Sequence, residues 1–148
     1  MTKNNKQTIV IIESTDGCGK TTIKKALERA SNWKYIVLDR FIGSDIVYDA
    51  IYNRKNRARM LLKLENNLTK IANVLLIYLD CNLNEQLRRL KIKKEDKIII
   101  KNISIAKKLF EEYLDNTNLN YIIIDTSKNT INKCVEDIIN FVENKVEI

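Results

Sequence analysis

Histidine is missing from all 148 residues, and that absence removes a class of mechanism. No imidazole is available as a general base or as a relay to a nucleophile. Cysteine is scarce as well: Cys18, Cys81 and Cys134 stand far apart, with no C-x-x-C pairing. A zinc site therefore finds no ligand set, and the thiols read as reduced cysteines of a cytoplasmic protein. Long apolar runs are also absent. The opening "MTKNNKQTIVII" carries too short a run for a secretion signal, and no segment approaches the ~20 apolar residues of a membrane span. Glycine is the third scarcity. There are three, and two of them, Gly17 and Gly19, fall within residues 13–22.

What is present fits one soluble domain. The chain is 45% hydrophobic and 30% charged, ordinary for a globular protein with one sizeable core. The net charge of +7 invites a nucleic-acid reading. The lysines, however, are spread along the whole chain among many asparagines and isoleucines, as a genome-wide bias would produce. A nucleic-acid partner stays open but is not favoured, and small anionic substrates benefit from the same field.

Apolar patterning alternates between two periods. "TIVII" (8–12), "YIVL" (35–38), "VLLIYL" (74–79) and "YIII" (121–124) read as strands. Between them come helical spacings: Ile23, Ala26, Leu27 and Ala30, then Met60, Leu61, Leu64, Leu68 and Ile71. Leu83, Leu87 and Leu90 follow, then Ala106, Leu109, Phe110 and Tyr113. Ile131, Cys134, Val135, Ile138, Ile139 and Val142 close the chain as an amphipathic helix. Near-continuous apolar strands alternating with helices predict an α/β fold, a small parallel sheet of about four strands with helices on both faces. "DKIIIKNISI" (96–105) fits either the start of a helix or a fifth short strand.

The glycine-bearing stretch "ESTDGCGKTT" follows the first strand and opens the first helix. That is the setting in which G-x-x-x-x-G-K-[ST] binds phosphate through backbone N–H groups and the helix N-terminus, although Ser14 stands where the first glycine is expected. Lys20 is placed to reach the β- and γ-phosphates, and the Thr21 hydroxyl to join a Mg²⁺ shell. Asp16 lies inside the loop. Phosphate repels a carboxylate there, so Asp16 either meets an acceptor's sugar hydroxyl or bonds its own backbone as a turn residue. Asp39 and Arg40 follow the second strand: a carboxylate suited to a hydrated Mg²⁺ or a hydroxyl, and a guanidinium suited to clamping phosphate. Asp80, ending the third strand, is a rival for the metal.

These stretches together are specific. "IIESTDGCGKTT" resembles the thymidylate kinase signature E-G-x-D-G-x-G-K-[ST]-T, and "LDRFIGSDIVYDA" is similar to its D-R-[YF]-x-x-S-x-x-A-Y segment. "LLIYLDCNLNEQLRRLKIKKEDK" resembles the family's strand-plus-lid region, and "FEEYLD" and "YIIIDTSKN" its late helix and final strand. The motifs cover most of the chain in the family's order. Two departures stand out. Only "IKKALERASNWKYIV" separates Thr22 from Leu38, so the family's acceptor-gripping insertion is missing. Lysines also replace most of the lid's arginines, which removes the bidentate fork.

The resemblance implies a three-layer P-loop kinase fold over residues 1–148 as a single domain, with residues 88–100 a candidate lid. It implies ATP as phosphate donor with Mg²⁺ and a nucleotide or nucleoside as acceptor. Gly17, Cys18, Gly19, Lys20, Thr21, Thr22 and Lys93 would bind ATP; Thr21 and Asp39 would serve the metal. Asp16, Arg40, Ser44 and Tyr48 would hold the acceptor, with Lys20, Asp39, Arg40 and Arg89 the catalytic set. A homodimer packed through helices is implied by the same resemblance. Three readings of the activity stand: a nucleoside monophosphate kinase; a kinase for a deoxynucleoside or a nucleic-acid 5′ end; and a non-catalytic ATP-binding module.

Overall fold

A computed structural model describes residues 6–146; the first five residues of the N-terminal segment read above lie outside them. Four parallel strands form one sheet: β1 (Gln7–Ser14), β2 (Ile36–Asp39), β3 (Ala72–Asp80) and β4 (Asn120–Asp125), in the order β2-β1-β3-β4. The β2 strand lies beside β1, as expected for the short connection between them. Register runs from Ile9 opposite Ile36 to Ile12 opposite Asp39, and from Gln7 opposite Ala72 to Ser14 opposite Leu79. On the far side Asp80 pairs with Asp125. The carboxyl ends of β2, β3 and β4 thus each carry an aspartate at one edge, the edge where open α/β sheets bind ligands.

Helices cover both faces because the strands are apolar on both. On one face α1 (Lys20–Ala30) and α6 (Ile131–Val146) bury Ile23, Leu27, Cys134, Ile138 and Val142 against Val10, Ile12, Ile77 and Leu79. On the other, α2 (Ile42–Ile51), α3 (Ala58–Leu68) and α5 (Lys97–Asn116) bury Val47, Leu61, Phe110 and Tyr113 against Ile11, Leu76 and Tyr78. The short α4 (Leu83–Leu90) sits at the ligand edge. Four strands and helices on both sides match the α/β expectation.

Two local readings are decided by packing. The ambiguous 96–105 segment is helical: Ile103, Ala106, Phe110 and Tyr113 fall on one buried stripe of the 20-residue α5. In α3 the expected face of Met60, Leu61, Leu64, Leu68 and Ile71 is only partly the buried one, with Leu61 buried and Leu68 packed against the core. Leu61 and Glu65 are buried, while Met60, Leu64 and Ile71 are exposed. Glu65 turns inward because the hydroxyls of Tyr113 (2.6 Å) and Thr117 donate to its carboxylate. A satisfied buried carboxylate outweighed a wider apolar stripe.

Candidate active site

The loop between β1 and α1 begins where Ser14 leaves the sheet. Ser14 is still a paired strand residue opposite Leu79, so its backbone is extended and a side chain is tolerated. The missing first glycine is therefore no obstacle to the turn. Gly17 (φ 81°) and Gly19 (φ 86°) take left-handed conformations that other residues rarely adopt. A Cβ on Gly17 would also meet Leu90 Cγ at 2.7 Å.

The loop's carbonyls are held from outside. Gln86 Nε2 donates to the Asp16 carbonyl, Arg89 Nη1 to that of Gly17 (3.4 Å), and Thr126 Oγ1 to that of Cys18 (2.8 Å). In a trans peptide the next N–H points opposite the carbonyl. Outward carbonyls thus turn the N–H groups of Gly17, Cys18 and Gly19 into a cradle of about 380 Å³, bordered by Ser14, Lys20, Thr21 and Thr22. Gly19 caps α1 without a side-chain bond, which leaves the helix's first amides open to an anion. Burial pushes the Cys18 thiol up to about 11, so it stays protonated and the residue offers a phosphate only its backbone.

Charges at the loop are paired across it. Lys20 Nζ lies 3.2 Å from Asp39 Oδ1, and the Arg40 guanidinium donates to Asp16. Each cation a phosphate would attract is thus held by a carboxylate that a metal or sugar would attract. Arg40 has φ 66°, unusual for a residue with a side chain, and its N–H extends the sheet to the Ile12 carbonyl at 3.0 Å. Asp80, the rival for the metal, lies 3.7 Å from Lys107 Nζ and accepts from the Cys81 N–H at 2.9 Å. Asp39 stands beside the loop lysine; Asp80 does not. No cluster of three acidic, cysteine or histidine ligands occurs among the described residues, so a divalent cation would have to be shared with bound phosphates.

Glu13 fixes the Asp39–Arg40 corner to the loop. Its carboxylate, buried at the end of β1, accepts from the N–H groups of Phe41 (3.1 Å) and Ser44 (2.6 Å) and from Ser44 Oγ (2.9 Å). It thereby caps α2 from another element, since Phe41 at the cap position offers no side-chain bond. A Cβ at Gly43 would fall 2.5 Å from Glu13 Oε2, so only glycine admits this approach. Burial raises the Glu13 carboxyl to about 7, against the lowering effect of its Ser44 and Phe41 bonds and of nearby Arg40.

Beside the corner opens a cleft of about 470 Å³, lined by Asp16, Arg40, Phe41, Ser44, Asp45, Tyr48, Tyr52 and Arg54. The Arg40 guanidinium lies 5.7 Å from the Tyr48 ring centre. Asp16, Arg40, Ser44 and Tyr48, read from the sequence as acceptor residues, are therefore gathered in one cleft. Arg89 and Lys93 are not. Arg89 lies on α4 and bonds Thr126 Oγ1 (3.2 Å) and the Thr126 carbonyl (2.9 Å) as well as Gly17. It faces a recess of about 220 Å³ shared with Gly19, Thr22, Ile23, Thr126 and Cys134. Lys93 is exposed in the turn between α4 and α5, so the 88–100 segment is the end of one helix, that turn and the start of the next.

Sequence reasoning missed Glu13, Gln86 and Thr126. A signal for Gln86 existed: it sits between Leu83, Leu87 and Leu90 on the apolar side of α4, and a polar residue there needs a buried partner. Glu13 stood in the quoted loop motif but its partners lie 28 and 31 residues away.

Residues 24–138 match the family described as thymidylate kinase. A probable thymidylate kinase of Methanococcus maripaludis strain C6 is 27% identical over 153 residues, covering 97% of this chain and 72% of that protein. The corresponding protein of strain S2 is 26% identical over 154 residues, with the same coverage. Among solved structures, YorR of Bacillus subtilis, in complex with phosphorylated GDP, superposes with a TM-score of 0.72 at 21% identity over 91% of this chain and 95% of that one. Thymidylate kinase of Candida albicans gives 0.65 at 19% identity over 96% and 94%. The structural likenesses establish the P-loop kinase fold, and the family match spans well over half of the sequence. The chain belongs to the thymidylate kinase family and is a nucleotide kinase, a transferase.

Proposed function

We propose that this chain, acting as one domain, transfers the γ-phosphoryl group of ATP to the phosphate of a nucleoside monophosphate, releasing ADP and a nucleoside diphosphate. One observation carries the reading: Asp16 lines both the amide cradle and the neighbouring cleft, so a donor phosphate and an acceptor would meet across it. The cradle amides of Gly17, Cys18 and Gly19 hold the donor phosphates, and Lys20 leaves Asp39 to neutralise the transferring group. Arg40 leaves Asp16 and clamps the acceptor phosphate, and Asp16 turns to the sugar. Ser44, bonded to Glu13, and Tyr48 border the same cleft.

Thr21 and Asp39 offer the hard oxygen donors that suit Mg²⁺; when bound with ATP, it supplies charge neutralisation on the phosphates. Arg89 takes the positioning role its bonds suggest: it holds the Gly17 carbonyl outward and borders the recess beside the cradle, next to where a donor base would lie. Lys93 approaches the phosphates only if the turn it occupies folds over the loop. The homodimer implied by the family resemblance is read out by sedimentation.

The test is Mg²⁺-ATP turnover against nucleoside monophosphates, deoxynucleosides and 5′-hydroxyl oligonucleotides, with Lys20→Ala as control. Turnover confined to monophosphates and lost in the control is expected. Activity on deoxynucleosides or oligonucleotides alone, or activity that survives Lys20→Ala, contradicts the assignment.

A further inference from the structure

Serine stands at position 14 where a phosphate loop usually has its first glycine, and its side chain has no task in the reading above. Ser14 is the last residue of β1 and pairs with Leu79. It shares a strand face with Val10 and Ile12, the face against which α1 packs through Ile23 and Leu27. Its side chain therefore lies on the side where the loop turns over into Lys20. The residue borders the amide cradle with Gly17, Cys18, Gly19 and Lys20, and it is wholly buried.

The Ser14 hydroxyl is nevertheless unpaired. Among the described residues, two side-chain polar atoms are shut off from solvent without a hydrogen-bond partner, Ser14 Oγ and Gln86 Oε1, and both flank this loop. They differ in what can satisfy them. Gln86 Oε1 only accepts, as do the oxygens of an ionised phosphate, so a phosphate offers it nothing. The Ser14 hydroxyl donates, and a phosphate oxygen is a strong acceptor for it. A serine that merely filled the end of a strand would bond a nearby carbonyl. Here the fold carries a destabilising unpaired hydroxyl at the border of the cradle instead. Rotation about χ1 redirects that hydroxyl while the strand stays in place.

We propose that Ser14 belongs to the donor-phosphate site, its hydroxyl donating to a phosphate oxygen of ATP, a bond that glycine at this position cannot make. The inference rests on the kinase reading, which puts the phosphates of ATP in this cradle. It joins two departures from the family pattern. The segment 88–100 trades most of its arginine forks for lysine point charges, and the loop gains a donor in return. That donor is anchored in the sheet beside the phosphates, whereas Lys93 is exposed in a turn. The buried hydroxyl thus costs the ligand-free protein stability and strengthens the ligand-bound one.

The experiment measures calorimetric binding of Mg²⁺-ATP and of inorganic tripolyphosphate, together with the melting temperature of the ligand-free protein. Wild type is compared with Ser14→Ala and Ser14→Gly. Both variants should bind both ligands about 10- to 100-fold more weakly, the worth of one hydrogen bond to a charged group. Ligand-free Ser14→Ala should melt about 2–4 °C above wild type, because the unpaired hydroxyl is gone. A serine with only a structural role would move stability and affinity in the same direction. Affinities within about threefold of wild type in both variants overturn the proposal, as does a loss for ATP that tripolyphosphate does not share. A lower melting temperature in Ser14→Ala overturns it too, since the hydroxyl would then have a partner in the ligand-free fold. No readout needs turnover: failure with every acceptor sinks the kinase reading alone, and failure of the wild type to bind Mg²⁺-ATP sinks both.

Discussion

The two halves of the site are built by different means. At the proposed donor half the binding groups are backbone amides, and their direction is set by Gln86, Arg89 and Thr126 holding the carbonyls from outside. At the proposed acceptor half they are side chains of the β1–α1 loop, the β2–α2 turn and α2, and Arg40 is paired with Asp16. The amides need no rearrangement to receive a phosphate, whereas Lys20 and Arg40 each exchange one ion pair for another. Fixed dipoles suit a part that every turnover shares, the donor phosphate. Side chains suit a part where selectivity has to be set.

The largest break in this contrast comes from removing the charge where the halves meet. Lys20→Ala should lower kcat by about 10²- to 10³-fold, measured at saturating ATP and acceptor. A loss confined to ATP affinity would mean that Lys20 binds the ground state rather than the transferring group.

Next is Glu13, which ties the acceptor corner to the donor strand. Its carboxyl is raised from 4.5 to about 7 on folding, so the folded state holds the proton more tightly than the unfolded chain does. Stability should therefore fall as pH rises from about 4.5 to about 7 and level off above, by on the order of 3 kcal/mol. Denaturant unfolding across that window measures the slope. Glu13→Gln should flatten it; an identical slope in the variant would remove Glu13 as its source.

A smaller effect tests whether the halves are separable. Gln86→Ala frees the Asp16 carbonyl and the Thr15 hydroxyl from their donor, and should raise the ATP KM about tenfold. The acceptor KM should move much less. Equal changes in both would mean that the loop is tied to the cleft and not merely beside it. Smallest of all, Cys18→Ala should leave kcat within about two- to threefold, since the residue gives the phosphate its amide alone. Its cost should appear instead in unfolding, at about 1 kcal/mol for a buried thiol.

The donor half was also the more legible in sequence. The apolar runs at 8–12 and 74–79 marked the central strands, and Gly17, Gly19 and Lys20 between strand and helix marked the cradle, because that geometry is local. What holds the cradle open was not legible, since Gln86 and Thr126 reach it from 70 and 108 residues away. The acceptor half was read in part. Asp16, Arg40, Ser44 and Tyr48, named by motif resemblance, line one cleft, and Tyr52 and Arg54 line it too although no motif named them. The α3 face was misread at Met60, Leu64 and Ile71 for a related reason. Glu65 is buried only because Tyr113 and Thr117 of a distant segment supply its hydrogen bonds.

The most direct measurement is a single-turnover experiment with ATP labelled at the γ-phosphate, excess enzyme, Mg²⁺ and each nucleoside monophosphate in turn. Label is expected in the corresponding nucleoside diphosphate, at a rate cut at least a hundredfold by Lys20→Ala. Label released only as inorganic phosphate, or retained on ATP with every monophosphate, would contradict it.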